Sequence, residues 1–537
     1  MKKKLIYILL TTTVLMGCKK DILNTKPLDQ YSNETLWSSK ADANAALTGC
    51  YSGWETGDNV IYDDCLSDNG IDQFPWENYE TFASGLATAS DSQPGVNKYS
   101  YLTIQRCNWF LDNVDKVPSA SLDNTLKERM KSEARFLRAY RYAILTQMYG
   151  DVPFTLHNLT TDEANKTQRS PKAQVVDFVL QELASIAPSL PVSYSGSDIG
   201  RITRGAALAL KARVELFNAK YTDCITTTQQ LMTGPFNYSL YPDYEGIFRP
   251  QNSNNQEVIL DVQYLQNDNS EWVLGAALPN SHGGWSSMAP TQALVDAYET
   301  TNGKTIQEDG SYNALQPYTN RDPRLDAAVI HPGLLYMGSY FDPLSAGSSD
   351  LVGNNNASPT GYNFKKYLAN IDDYNNTAYG TDVWNTGGSI IVIRYAEVLL
   401  TYAEAKIEAN QIDPSVYDAI NKVRQRPTVN MPAVTAALYP DQASLRVLIR
   451  RERRAELAGE GLRWYDIQRW KIGADVLNGD VKGSLKGSVN PSNGVLTLTP
   501  NSNFVAGSRT FDNKNYLWPI PQKEFDINPS LKQNPGY

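Results

Sequence analysis

Apolar residues recur at three- and four-residue spacing in two separate parts of this chain, which predicts amphipathic helices there. The clearest case is residues 124–149, where one face carries Leu137, Tyr140, Ile144, Leu145 and Met148. A glycine follows directly at position 150, and Pro153 prevents the helix from restarting. The pattern therefore predicts one long helix that ends at about residue 149.

The same spacing predicts further helices on both sides of a central region. Before that region they cover residues 42–51, 99–114, 170–187, 203–219 and 223–231. After it they cover residues 393–409, 414–426, 441–458 and 461–471, and the prolines of residues 516–521 predict an extended end. Alanine-containing antiparallel pairs of this length are typical of tetratricopeptide-type units, although no strict repeat is visible.

The central region, residues 233–388, has a different composition. It is rich in Gly, Asn, Asp, Pro, Ser and Tyr, and it contains few long periodic runs. Long loops inside a compact protein usually carry function. The sequence therefore predicts a mostly α fold, in which tetratricopeptide-like helix pairs form a scaffold and a loop-rich insertion carries the ligand site.

The first residues have the features of an export signal. Three lysines precede a short apolar run, and Leu15-Met16-Gly17 leads directly to Cys18. The run is too short to span a bilayer stably, and the cysteine falls where a cleavage site is expected. We predict that residues 1–17 are a signal peptide, that Cys18 is lipidated and that residues 18–30 form a tether to a membrane. The alternative is an ordinary cleaved signal followed by an unrelated cysteine.

Composition excludes several classes of function. The net charge of −9 and the pI near 5.1 argue against binding nucleic acid, which selects basic patches. Three histidines and no CxxC pair predict no metal site, and no cofactor motif or catalytic motif is present. Two alternatives remain for the later cysteines, which are one or two disulfides or buried free thiols: Cys50, Cys65, Cys107 and Cys224.

One charged helix resembles a catalytic arrangement. Glu452, Glu456 and Glu460 lie four residues apart, with arginines between them. Paired carboxylates catalyse glycoside hydrolysis when one carboxyl keeps a raised pKa, but neighbouring arginines lower the pKa of a carboxyl group. We therefore predict an ion-pair network that fixes helix packing and contains no catalytic residue.

Loop aromatics are the better candidates for function. The chain has 32 Tyr and 10 Trp, and two polar loops each present an indole, at Trp76 and Trp285. The face of an indole suits the C–H groups of a sugar ring, while polar neighbours suit its hydroxyl groups. We predict both tryptophans as stacking platforms, with four hydrogen-bonding neighbours: Tyr79, Asp72, Asn69 and His282. The alternative is that each tryptophan only anchors its loop to the scaffold.

A set of segments in a fixed order runs along the whole chain: the cysteine motif and residues 21–29, and then residues 133–140, 147–154, 320–325, 393–405, 420–424, 449–457, 461–470, 517–521 and 534–537. Together these segments resemble the SusD/RagB family of outer-membrane lipoproteins of Bacteroidetes. The resemblance implies one SusD-like domain over residues 31–537. The helical scaffold would cover residues 31–232 and 389–537, and residues 233–388 would contribute to the ligand site.

The resemblance also implies a function. Such proteins are anchored by lipid to the cell outer membrane and face outward. There they capture oligo- or polysaccharide without catalysis and deliver it to a TonB-dependent porin of the SusC type, over which they close as a lid. In the family the ligand site is built from the same two regions that carry Trp76 and Trp285. Two alternatives remain, which are capture of peptide or glycopeptide, as on the RagB side of the family, and a surface glycoside hydrolase.

Overall fold

The computed structural model describes residues 36–91, 94–368 and 382–537. The predicted signal peptide, Cys18 and the tether lie outside these ranges and stay predictions. Within the described ranges, no helix combines the length and the apolar character that crossing a bilayer requires.

The longer helices account for the predicted scaffold. Those of eight or more residues, numbered in chain order, are α1 (Lys40–Tyr51), α2 (Leu102–Asn113), α3 (Asn124–Tyr149), α4 (Lys172–Ile186), α5 (Arg204–Phe217), α6 (Tyr221–Thr233), α7 (Tyr395–Glu408), α8 (Pro414–Arg424), α9 (Gln442–Leu457) and α10 (Arg463–Trp470). Each corresponds to a helix predicted from the apolar spacing. Side-chain caps mark the starts of α1, α3, α5, α8 and α9, and at α3 the carboxylate of Asp123 accepts a hydrogen bond from the Leu126 amide at 2.9 Å.

Shorter helices and paired strands fill the remainder. The short helices are Gly57–Tyr62, Tyr79–Ala83, Gly95–Lys98, Thr161–Ala164, Val273–Ala277, Gln292–Ala297, Arg324–Ala328, Gly473–Val476 and Gln522–Ile527. The strands pair antiparallel in twos: Gly70–Asp72 with Met288–Pro290, Val152–Pro153 with Arg169–Ser170, Val258–Val262 with Ile390–Arg394, Val329–Ile330 with Asn363–Phe364, Leu335–Tyr336 with Ser339–Tyr340, and Gly479–Val489 with Leu496–Arg509.

Consecutive helices pack against each other and build one stack. Helix α3 packs on α4, α4 on α5, α5 on α6, and α7 on both α8 and α9. Helix α6 packs on α7, so the helices before and after the central region form a single scaffold. A buried ion pair between Arg213 of α5 and Glu397 of α7, at 2.7 Å, joins the same two parts. The prediction of a mostly helical fold with tetratricopeptide-like pairs is confirmed.

Two local predictions were wrong. The helix predicted to begin at residue 393 begins at Tyr395, because the β-branched run Ile390–Arg394 forms a buried strand instead. The region expected to be helical after residue 389 also contains a long hairpin, Gly479–Val489 with Leu496–Arg509. Glycines and irregular pairing interrupt the alternation of this hairpin, so its sequence has no clear strand pattern.

The charged helix α9 carries the predicted ion-pair network. Glu452 and Glu456 lie on α9, and Glu460 lies just after its end. All three carboxylates are buried, and each is bound by cations from other segments. Arg324 and Arg424 contact Glu452; Arg324, Arg394 and Arg426 contact Glu456; and Arg394 and Lys366 contact Glu460. Burial alone would raise the pKa of Glu456, but its three arginines hold that pKa well below the usual range. These groups serve packing, as the sequence predicted.

The two alternatives for the later cysteines are resolved in favour of thiols. Cys50, Cys65, Cys107 and Cys224 are free and buried. Burial raises the pKa of Cys65, Cys107 and Cys224, which keeps these side chains as neutral thiols.

Candidate functional site

Strand pairing brings the two predicted loops together. The strand Gly70–Asp72 runs antiparallel to Met288–Pro290, with Asp72 opposite Met288. The chain leaves the first strand at the same end at which it enters the second, so residues 73–78 and 280–287 are neighbouring loops. The Gln73 amide donates to the Ser287 carbonyl at 2.9 Å and extends the pairing between them.

Four aromatic rings from these loops and one further segment form a continuous patch, here called the aromatic surface: Phe74, Trp76, Trp285 and Trp384. Phe74 and Trp76 stack with ring centroids 4.3 Å apart and an interplanar angle of 11°. Phe74 meets Trp285 almost perpendicularly, at 6.4 Å and 83°. Trp285 in turn contacts Trp384 at 4.5 Å. The two indoles predicted from sequence therefore belong to one cluster.

The aromatic surface is open to solvent. Trp76 is 58% exposed and Trp285 is 38% exposed, while Phe74 and Trp384 are half-buried. Exposing an indole to water is unfavourable unless something covers it in a complex. The surface offers flat apolar faces set at a steep angle to each other, with polar loop atoms around them. Such faces suit a ligand with apolar faces and a polar rim.

Backbone geometry sets the position of Trp285. Gly283 has a φ of 81°, in the left-handed region that glycine enters without strain. Gly284 leaves no room for a side chain, since an added Cβ would lie 2.1 Å from the Leu278 carbonyl oxygen. The backbone of the loop therefore packs directly on the segment before it. On the far side Trp384 lies over Gly275, where a Cβ would come within 2.4 Å of the indole.

Asp72 shapes the other loop from inside. Its carboxylate accepts hydrogen bonds from the backbone amides of Phe74 and Tyr79, both at 3.2 Å. Burial raises the pKa of Asp72 to about 7, although these two bonds favour the charged form. The carboxylate thus closes the loop that presents Trp76.

Tyr79 and Asn69 also face the interior. The Tyr79 ring stacks on Tyr62 with centroids 5.2 Å apart. The Asn69 amide donates to Asp64 at 3.0 Å, and its oxygen accepts from Arg454 at 2.8 Å. Both residues, like Asp72, are buried. In this structure the three side chains support the loop from below, and their predicted role as hydrogen-bonding contacts to a ligand stays a prediction.

His282 lies at the base of the Trp285 loop and faces another surface hairpin. It is half-buried, its ring meets that of Tyr336 at 5.3 Å, and burial lowers its pKa. The neighbouring side chains Leu335 and Met337 are exposed. His282 therefore lies near the aromatic surface without a direct ring contact to it.

The carboxylates near Trp76 do not form a pair of free acids. Glu77 is half-buried, and burial together with nearby Asp58 raises its pKa. Both oxygens of Asp72 are held by backbone amides, as described above. No three His, Cys, Asp or Glu side chains of the described ranges converge as a metal site.

Sequence reasoning missed two members of the aromatic surface. Phe74 lies inside the predicted loop, but a phenylalanine beside proline carries no distinct signal of exposure. Trp384 is followed by Asn385, Thr386, Gly387 and Gly388, a context similar to that of Trp285. That polar, glycine-containing context was the available signal for Trp384.

Known proteins match the chain over most of its length. A family profile described as "SusD family" matches residues 244–537, and one described as "Starch-binding associating with outer membrane" matches residues 23–216. "SusD-like protein P25" of Formosa agariphila is 27% identical over 96% of both chains.

Solved structures give the same result. A SusD-like carbohydrate binding protein from Bacteroides fragilis is 32% identical with a TM-score of 0.83, covering 93% of this chain and 100% of that one. A "Laminarin binding SusD-like protein" is 22% identical with a TM-score of 0.69, and the match again covers 93% of this chain and 100% of that one. At this level of identity the match supports a shared fold only.

Proposed function

This chain belongs to the SusD family of carbohydrate-binding, outer-membrane-associated proteins, and from that premise we propose that it captures oligo- or polysaccharide on its aromatic surface. The observation that carries the proposal is the contact of exposed Trp76 and Trp285 with Phe74 between them. Trp76 and Trp285 are the proposed stacking residues, joined by Trp384. His282 is a proposed hydrogen-bonding residue at the edge.

The proposal extends to location and delivery. Cys18 is lipidated and anchors the protein to the outer face of the cell outer membrane. The bound glycan passes to a SusC-like TonB-dependent porin, over which this protein acts as the lid. Support for this part comes from the sequence motifs and the family, since Cys18 lies outside the described residues.

The shape of the site sets the expected affinity. A shallow, wet site must replace the water around each sugar hydroxyl, so each sugar ring contributes only modestly to the binding free energy. Because Trp76 and Trp285 are set almost perpendicular to each other, they contact separate sugar rings of one glycan chain. Binding of a polymer therefore gains from simultaneous contacts along the chain.

A surface glycoside hydrolase is the second candidate, because raised pKa values occur at Asp72 and Glu77 beside Trp76. Glycoside hydrolysis needs two carboxyl groups that both reach the scissile bond, about 5–10 Å apart. Asp72 is buried and bonded to two amides, so only Glu77 is placed to meet a ligand. This arrangement favours binding without catalysis.

Affinity electrophoresis of the lipid-free chain, residues 19–537, against plant, microbial and host polysaccharides tests the proposal. We expect one glycan class to retard the protein. Trp76→Ala and Trp285→Ala should each weaken that binding by about tenfold or more, since an aromatic contact contributes about 0.5–1.5 kcal/mol beyond its buried area. Leu438→Ala is the matched control, because it truncates an apolar side chain that is 67% exposed and lies outside the aromatic surface.

Two further measurements separate the alternatives. New reducing ends after incubation of the pure protein with the retarding glycan would establish a hydrolase. Competition by peptides, in place of oligosaccharides, would establish peptide capture. Unchanged retardation in both tryptophan variants would refute the aromatic surface as the site.

A further inference from the structure

A separate cavity of about 290 Å³ shares no residue with the aromatic surface. It lies between helix α2, the short hairpin Val152–Pro153 with Arg169–Ser170, and the C-terminal helix Gln522–Ile527. Neither the glycan proposal nor the ion-pair network uses it. It is large enough for a small molecule or one long side chain.

Much of the cavity wall is apolar or aromatic. Tyr99 and Tyr101 meet edge to face with centroids 5.6 Å apart. Ile104 and Leu531 add buried apolar surface, and Ile527 at the rim is 56% exposed. These side chains suit an apolar stem that would cover them.

Tyr99 contributes an unsatisfied polar group. Its side chain is 3% exposed, and its hydroxyl lies beside the hydroxyl of Tyr101 without forming a well-aligned hydrogen bond to it or to another group of the described residues. The adjacent Tyr101 hydroxyl donates instead to the Pro153 carbonyl at 3.0 Å. A buried hydroxyl without a partner costs free energy, which a ligand atom would recover.

Glu524 contributes a weakly compensated carboxylate, whose side chain is 29% exposed. Within the described residues its ion-pair partner is Nζ of Lys523, 3.9 Å away on a largely exposed side chain. Burial raises the pKa of Glu524, and Lys523 is the cation that opposes the shift. Arg169 approaches the tyrosines, but its guanidinium donates to the carbonyls of Asp151 and Tyr149. His157, at the rim, contacts Asp112.

We propose that this cavity binds an organic cation, a primary ammonium or guanidinium group on a short apolar stem. The cation donates a hydrogen bond to the Glu524 carboxylate and another to the Tyr99 hydroxyl oxygen. The rings of Tyr99 and Tyr101 attract it through their π faces, and Ile104 and Ile527 cover the stem. Charge complementarity with Glu524 selects this class over neutral ligands of the same size.

Two sources share this chemistry, namely a free amine and a basic side chain of a protein. The probes that separate them are agmatine and a lysine-containing tripeptide, titrated calorimetrically into the full chain. Their neutral counterparts of similar size are 1-butanol and the same tripeptide with norleucine in place of lysine. We expect at least one cationic probe to bind. Its neutral counterpart should bind with about tenfold lower affinity or show no binding.

Glu524→Gln tests the central contact. We expect Glu524→Gln to lower the affinity for the cationic probe by about tenfold. Tyr99→Phe should lower the same affinity by a smaller factor. Asp526→Asn is the matched control, since it removes a carboxylate from the exposed side of the same helix and should keep affinity within about twofold. Any of three results would overturn the proposal. They are equal affinity for neutral and cationic probes, unchanged affinity of Glu524→Gln for the cationic probe, and no binding of any cationic probe.

Stability gives an independent readout. Because burial disfavours the charged form of Glu524 more than Lys523 favours it, Glu524→Gln should unfold at a higher temperature than the parent at pH 8 without ligand. A lower unfolding temperature would show that the carboxylate has a partner and would contradict the proposal. Glycan binding should persist in Glu524→Gln, and cation binding should persist in Trp76→Ala. The two proposals can therefore be refuted independently of each other.

Discussion

At the scale of single residues, Phe74 shows how one side chain organises a surface. It is only half-buried, but it contacts both Trp76 and Trp285 and so fixes the angle between them. The exposed indoles were predictable, because tryptophan in a polar, glycine-containing loop is a recognisable pattern. Phe74 was not, because its role depends on a partner far away in the sequence.

Asp261 gives a prediction at the same scale. It is a buried carboxyl on the strand Val258–Val262, its contacts are with polar neutral groups such as Gln263, and burial raises its pKa to about 6. The folded state therefore binds more protons than the unfolded state between about pH 4 and pH 6, so stability falls as pH rises through that window. Asp261→Asn should raise the free energy of unfolding at pH 7.5 on the order of 2 kcal/mol.

Chemical denaturation at two pH values checks this. The advantage of Asp261→Asn should largely disappear at pH 4, where the parent carboxyl is already mostly protonated in the folded state. The exposed control Asp418→Asn should have no comparable effect. An equal advantage at both pH values would mean that charge is not the cause.

At the scale of elements, those formed by local signals were predictable from the sequence, and those formed by pairing with a distant segment were not. The helices follow from apolar spacing and, for five of the ten long helices, from a side-chain cap, and both signals involve residues within a few positions of each other. The short strand Gly70–Asp72 has no signal of its own, and it exists because Met288–Pro290 pairs with it. That pairing is what places two distant loops side by side, so the combined site was not predictable from either loop alone.

Gly284 gives a prediction for the second of these loops. Gly284→Ala places a methyl group against the Leu278 backbone, so the loop must shift and carry Trp285 with it. We expect a stability loss of about 1–3 kcal/mol and a clear loss of glycan affinity. Gly310→Ala, where an added Cβ meets open space, is the control. Thermal unfolding and affinity electrophoresis measure the two effects, and intact affinity would show that the loop adapts without moving Trp285.

At the scale of the whole molecule, buried charge joins segments that the sequence separates. Glu456 on α9 accepts hydrogen bonds from Arg324 at 2.9 Å, Arg394 at 2.7 Å and Arg426 at 3.0 Å. Arg324 comes from the loop-rich central region, while Arg394 and Arg426 lie next to α7 and α8. The network therefore fixes the central region on the helical scaffold, and with it the loop that bears Trp285.

Removing the central carboxylate tests this role. Glu456→Gln leaves three buried guanidinium groups with a neutral acceptor and should cost about 3–5 kcal/mol of unfolding free energy. Glu408→Gln, in a partly exposed pair with Arg446, should cost less than about 1 kcal/mol. Because arginines hold the pKa of Glu456 low, the parent should keep this contribution at neutral pH and lose it in strong acid. Denaturation curves with equal midpoints for the two variants would contradict the assignment.

The amino-acid sequence is enough to predict the helices α1–α10, the ion-pair role of Glu452, Glu456 and Glu460, the family and the two loop tryptophans. These depend on local spacing, on charge neighbours or on motifs that stand together in the chain. No local pattern predicts that Trp76 and Trp285 share one surface, or that Asn69, Asp72 and Tyr79 lie beneath it; both follow from the three-dimensional fold. The physical reason is that burial and contact depend on which distant segment packs against a residue, and strand pairing and helix stacking choose that segment.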